Sequence, residues 1–373
     1  MDKPLPSLVL LIRAALLKGN KGRAAWDQWQ STHDLDLVDT ESYSLLSQVY
    51  KNLQAQGVED SLFKKLKGIY RHTWCKNRLL AEEMVPFLRS LEEAGVPTLT
   101  LNGTMLSAAF TGDFGLYPLD KGEIVIPRER IVETTRCLQR SGWSSWATAP
   151  EAALRQQGIL PWKNSRGYHC VIRCEVLENY IQPTAENYFG SHLAETKWGE
   201  SKIHVLTPTA HLLKLLVDGD GRAGGVTPRW VTDVYRTISL YPSNIAWNEL
   251  LDQAKSWSLT LPLKHHLKYF VSIVNPDLSS ALLQKIEGLP STKMEALEYA
   301  AQFKRTSGRE GLLSRLSVHW CQYVRMAGKR NLVGKVVGFA GYLKKIWNVN
   351  YIWQIPIYVI FRSVRRIYRA GVA

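Results

Sequence analysis

The sequence predicts an α+β protein: a small mixed sheet over about residues 96–206, framed by helical regions on both sides. Three observations predict it. Before residue 96 and again after Thr209, apolar residues recur at the spacing of a one-faced helix, as in Leu45, Leu46, Val49, Tyr50 and Leu53. Tyr168–Val176 alternates instead: Cys170, Ile172, Cys174 and Val176 fall on one face, and His169, Val171, Arg173 and Glu175 on the other. Two short apolar runs, Pro97–Leu101 and Glu123–Ile126, add further strands.

Taken in order, residues 5–95 read as helical, with turns at Gly19–Gly22 and near Gly57. A long helix runs from about Leu62 to Glu93 and packs on the sheet that follows. Pro86 removes one of its hydrogen bonds and predicts a bend. Its Arg71, His72, Trp74 and Lys76 read as surface and packing positions. Asn102-Gly103-Thr104 turns the first strand into a helix, Met105–Phe110, and Gly112, Gly115 and Pro118 mark a loop over 111–120. Glu123–Ile126 stops at Pro127, and Arg128–Ser141 is a helix with Ile131, Val132, Thr135 and Leu138 on one face. Lys202–Val205 is one more strand. Helices then cover 209–218, 228–240, 247–257, 261–274 and 291–304, with a glycine-rich loop, Gly219–Gly225, between the first two. That loop lacks the Gly-Lys-Ser/Thr of a P-loop, which excludes that phosphate motif. These breaks divide the chain into 1–95, 96–206, 207–310 and 311–373.

Composition sets limits on function. Apolar (45%) and charged (21%) content are those of a soluble globular protein. Cys75, Cys137, Cys170, Cys174 and Cys321 form an odd, scattered set without a disulfide framework, which places the protein in a reducing, cytoplasmic compartment. Arg13 interrupts apolar Leu8–Ile12, so the start reads as an amphipathic helix rather than a signal peptide. Of the net charge of +14, residues 311–373 contribute eleven Lys/Arg with no Asp or Glu. That tail holds three amphipathic pieces, about 311–327, 332–347 and 351–369. In the last, apolar Tyr351–Phe361 precedes Arg362, Arg365, Arg366 and Arg369. This pattern suits a segment lying at an anionic membrane surface. It suits nucleic acid less, because nucleic-acid grooves rarely need a continuous aliphatic surface. The plainer alternative is a basic cap that packs its apolar stripe on the core.

A glycine turn between a strand and a helix is a ready phosphate site, because unpaired N–H groups and the helix dipole face the ligand. Cys170 and Cys174 lie about 13 Å apart along a strand, too far to share a metal ion with His169. His204, His211, His265, His266 and His319 show no spacing of a triad or metal site.

The order of elements carries a resemblance. A helical region precedes Leu101-Asn102-Gly103 after a short strand. A helix, a loop and a strand with acidic residues follow, then a later strand, and then Arg229-Trp230-Val231-Thr232-Asp233 and Trp247 in a helical half. Over roughly residues 5–305 the chain resembles the uncharacterised nucleotidyltransferase-like family of the DNA polymerase β superfamily. The resemblance implies a nucleotidyltransferase-type sheet and metal-assisted transfer of a nucleotide from an NTP to an acceptor hydroxyl on a protein or small molecule. In that mechanism two carboxylates at i and i+2 of one strand, and a third on a neighbouring strand, hold Mg²⁺.

Family members show Leu-Lys-Gly at the turn and Arg-Pro-x-x-Asp-x-Asp on the strand. Here Asn102 replaces the lysine, Tyr117-Pro118 stands for Arg-Pro, and Lys121 and Glu123 fall where the aspartates would lie. An ammonium at Lys121 repels a metal ion, while a one-residue bulge would bring Asp120 onto the face of Glu123. The implied catalytic set is therefore Asp120, Glu123 and Glu175, with Mg²⁺ on Glu123 and Glu175. The implied nucleotide contacts are Asn102, Gly103, Thr104, Lys121 and Arg173. The departures imply an alternative, a catalytically degenerate fold used as a scaffold or metal-independent binding module. Each signal also has an ordinary structural reading: Asn102-Gly103 as a plain turn, Lys121 with Glu123 and Glu175 with Arg173 as surface pairs, and Arg229 with Asp233 as a helix-start charge pair.

Overall fold

The computed structural model describes residues 6–58, 61–101, 112–198, 201–219, 227–276, 278–306, 312–328, 331–347 and 349–355. The N-terminal region is helical: α1 Pro6–Leu16, α2 Asn20–Gln30, α3 Thr40–Ala55 and α4 Phe63–Glu93. The expected long helix runs through Pro86 without interruption. Its Leu80, Met84, Phe87, Leu88 and Leu91 are buried at helical spacing, forming the stripe that lies on the sheet.

Among the described residues the sheet has seven strands: β1 Leu99–Thr100, β2 Gly122–Val125, β3 Trp143–Ser145, β4 Ile159–Asn164, β5 His169–Arg173, β6 Leu193–Trp198 and β7 Ser201–Leu206. Their order is β3-β4-β5-β2-β1-β7-β6. β2 runs parallel to β5 and β1 parallel to β7, and the other pairs are antiparallel, so the sheet is mixed as expected. The central strand, β2, is covered on both faces. Ile124, Cys170 and Ile172 join α4 in one core, and Leu99, Val125 and Leu206 join α1 and α3 in the other. Between strands lie α5 Ile131–Arg140, α6 Pro150–Gln157 and α7 Ala185–Ser191.

The C-terminal half comprises α8 Pro208–Asp218, α9 Pro228–Leu240, α10 Trp247–Ser256, α11 Thr260–Val274, α12 Ser280–Glu287 and α13 Lys293–Thr306. Proline opens α8 and α9, where its missing N–H costs no helix bond. Two tail helices follow, α14 Leu312–Ala327 and α15 Leu332–Ile346. Arg325 fixes α14 to the body: it pairs with buried Glu298 of α13 and donates to the carbonyls of Trp257 and Ser258.

Two polar anchors shape the region between the sheet and the helices. Buried Asn77 of α4 donates to the carbonyls of Phe114 (2.6 Å) and Tyr117 (2.7 Å) and accepts from Leu119 N (2.8 Å), fixing the loop before β2. Gly115 is obligatory in that loop, because a Cβ there would run into the Tyr70 ring. Asp218, at the end of α8, accepts from the backbone N–H groups of Glu178 and Asn179, fixing the chain that leaves β5.

Candidate functional site

A cavity of about 430 Å³ opens where these two anchored segments meet the helical half. The start of α3 forms one wall with Thr40, Glu41 and Ser44. The loop before β2 supplies Tyr117, Pro118, Asp120 and Lys121, and α8 supplies His211 and Lys214. The start of α9 closes the cavity with Thr227, Arg229 and Asp233. Five acidic and five basic side chains line it, so its polarity comes from paired charge and not from a field of one sign.

The floor is a chain of ion pairs. In the parallel register of β2 and β5, Glu123 stands opposite Val171 and Val125 opposite Arg173, which puts Glu123, Val171 and Arg173 on one face. Arg173 Nη1 donates to Glu123 Oε1 at 2.7 Å and lies 3.1 Å from Glu178 Oε1. The Arg173 and Glu123 side chains are only 10% and 14% exposed. Lys214 Nζ continues the chain, 4.0 Å from Glu178 Oε1 and 3.3 Å from Asp218 Oδ2.

These contacts set protonation. Burial pushes the Glu123 carboxyl upward, but the charge and hydrogen bond of Arg173, with Lys121 and Lys214, outweigh it and hold Glu123 below its ordinary range. Burial pulls Lys214 down, and Asp218, Glu178 and Glu123 more than reverse it. His211, whose Nδ1 lies 3.1 Å from Thr237 Oγ1, is driven down to about 3 by burial and by Lys214 and Arg229, so it is neutral. Asp233 is raised by burial against the pull of Arg229 and Arg236. Arg229 lies 3.6 Å from Asp233 and holds its guanidinium over the Tyr117 ring, 5.4 Å from the centroid.

The structure brings Lys121, Glu123 and Arg173 together at this cavity, with Asp120 at its edge. Asp120 is largely exposed and 3.8 Å from Lys76 Nζ; the β2 ladder begins after it, in continuous register from Gly122, and holds no bulge. Glu175 is elsewhere. β5 ends at Arg173, so the two-residue alternation does not carry to Glu175, which pairs with Arg128 beside Gly158. Glu178 is the carboxylate beside Arg173 instead. Asn102, Gly103, Thr104, the expected helix Met105–Phe110 and most of Gly219–Gly225 lie outside the described residues.

Sequence reasoning missed Glu178, Lys214 and Asn77. Glu178 sits in irregular backbone, where no periodicity marks it. Lys214 had a usable signal: His211, Lys214 and Asp218 form one polar stripe on a helix otherwise made of buried apolar residues.

The carboxylate set does not fit a divalent ion. Lys121 is an ammonium, Glu123 is paired with the Arg173 guanidinium, and Val171, directly opposite Glu123, is apolar. Among the described residues, no group of three or more His, Cys, Asp or Glu side chains is placed to hold a metal ion.

The sequence profile of a protein family described as "Uncharacterised nucleotidyltransferase" matches residues 40–275. No curated protein and no solved structure matches the chain. The matched span contains every residue that lines the cavity, from Thr40 to Asp233.

Proposed function

The chain belongs to this uncharacterised nucleotidyltransferase family, and from that premise we propose that its cavity binds the phosphate chain of an NTP without a divalent ion. The protein then acts as a nucleotide-binding module on a transferase fold. The observation that carries the reading is the buried Glu123–Arg173 pair. A divalent ion on Glu123 would compete with Arg173 for the carboxylate and stand near the charges of Lys121 and Lys214. Each unit of like charge at 4 Å costs about 4 kcal/mol at an effective dielectric of 20, and a divalent ion doubles it. Phosphate oxygens meet the opposite situation. Lys121, Arg173, Lys214 and Arg229 all line the cavity, and Glu178, a third exposed, is the link that an arriving anion displaces most easily. Asn102, Gly103 and Thr104 remain the proposed turn at the phosphates.

Family membership supports the competing reading, Mg²⁺-assisted transfer to an acceptor hydroxyl through Asp120, Glu123 and Glu175. Calorimetry with each NTP, in Mg²⁺ and again in EDTA, separates the two. We expect equal affinity in both, and about tenfold weaker binding in Lys121→Ala. Binding seen only with Mg²⁺ would restore the transferase reading.

The eleven Lys/Arg of residues 311–373, a segment with no Asp or Glu, make an anionic membrane surface the partner of the tail in this proposal. With five free cysteines, the protein would sit in the cytoplasm, peripheral at the inner face. No helix among the described residues is long and apolar enough to cross a membrane.

A further inference from the structure

The tail helix α15 is apolar on two sides. One side packs: the Phe339 ring meets Trp320 of α14 edge-on at 5.1 Å, Tyr342 lies 5.5 Å from Tyr323, and Leu343 is buried. The other side carries Val333, Val336 and Val337, which are 71%, 57% and 69% exposed. A helix that is apolar all round is ordinarily buried all round. Just beyond it, Tyr351, Ile352 and Trp353 are also more than half exposed. Seven of the seventeen large apolar side chains exposed among the described residues fall between Val333 and Trp353. This is the densest run of them along the described chain.

We propose that the exposed apolar side chains of this segment, the valine row of α15 and Tyr351–Trp353 (the ridge), insert into the headgroup–acyl boundary of an anionic bilayer. The inference rests on the membrane reading of the tail and adds the inserting face to it. Charge selects the partner. Lys335, Lys344 and Lys345 flank the valines, and residues 311–373 contain no acidic side chain. A second copy of the chain is a poor occupant, since pairing two tails would set one wholly basic segment against another. An acidic leaflet neutralises them while accepting valine, tyrosine and tryptophan side chains, the mix that interfacial helices use. Length fixes the orientation. Fifteen helical residues extend about 22 Å, short of a hydrocarbon core of about 30 Å, so α15 lies in the plane of the surface.

Co-sedimentation of the full chain with vesicles tests this, using phosphatidylcholine alone and phosphatidylcholine mixed with phosphatidylglycerol. Salt is varied up to about 1 M, where the screening length falls to about 3 Å. We expect binding to the mixed vesicles at low salt, with a fraction that survives high salt. The double variant Val336→Asp/Val337→Asp loses the surviving fraction, with partitioning at least roughly tenfold weaker. Lys344→Glu/Lys345→Glu loses mainly low-salt binding. Both alter exposed positions, and helix content by circular dichroism confirms folding. Complete release at high salt, or wild-type binding by the valine variant, would overturn insertion while leaving an electrostatic contact. No binding to mixed vesicles at low salt would overturn the membrane reading itself. Tighter binding after truncation at Ile355 would show that residues 356–373 cover the ridge, and would also overturn the proposal.

Discussion

The cavity and the tail are both rich in charge, and they use it in opposite ways. The cavity is lined by five acids and five bases, Glu123, Arg173, Glu178 and Lys214 link β2, β5 and α8, and the central pair is almost wholly buried. In the tail, eleven bases have no acid within 311–373, and apolar side chains stand in solvent beside them. A group partnered internally reports on how the fold holds itself together. A segment that carries one sign of charge and no other attracts a partner of the opposite sign. Arg325 marks the transition: a tail residue whose guanidinium is spent on Glu298 and two carbonyls, tying α14 to the body.

The comparison can be broken most forcefully at Arg173. Arg173→Met leaves Glu123 buried without its partner and is expected to cost about 3–5 kcal/mol in urea unfolding, whereas Arg173→Met combined with Glu123→Leu recovers most of it. If the single and double variants are equally unstable, the pair is not the organising contact. Next comes Asn77→Ala, which strips three hydrogen bonds from the loop before β2. It should cost about 2–3 kcal/mol and weaken NTP binding, since that loop carries Lys121.

Acid titration sharpens the same contrast. His211 is held near 3 in the fold and titrates near 6.5 when unfolded, so the native state binds fewer protons between these values. Its contribution is present above pH 6.5 and is lost as the pH falls towards 3, with a slope of up to about 1.4 kcal/mol per pH unit. Glu123, also depressed, adds a loss below about pH 4.3. Subtracting the stability profile of His211→Gln from that of the wild type isolates the first slope; parallel profiles would contradict it. The smallest expected effect is on the tail: Lys344→Glu/Lys345→Glu should change stability by less than about 0.5 kcal/mol, because both side chains are exposed and outside the core.

Elements with strong periodicity were legible in the sequence. The helices expected at 209–218 and 228–240 match α8 and α9 to within a residue, and α4 and β5 follow their apolar patterns. Strand β4 was not legible, because Pro161 sits inside it and exposed Pro161 and Lys163 interrupt its apolar run. Nor was β6, an edge strand reading Leu-Ala-Glu-Thr-Lys-Trp, whose polar residues suit its unpaired side. At the site, Lys121 and Glu123 were found because the family motif maps onto them, and Arg173 because strand alternation places it. Glu178 and Asn77 were not, because long-range hydrogen bonds position them and spacing does not encode those. The extrapolation to Glu175 failed for one reason: alternation holds only while the chain remains a strand, and β5 ends at Arg173.

The central claim is that cations, and no metal on Glu123, meet the phosphates. Its most direct test is the sign of one affinity change: ATP titrated into wild type and Glu123→Gln in the presence of Mg²⁺. Removing a carboxylate from a cationic phosphate site releases Arg173 to the ligand, so the account predicts tighter binding in the variant. Binding weakened or lost in Glu123→Gln would mean that the carboxylate holds a metal ion, and would contradict the account.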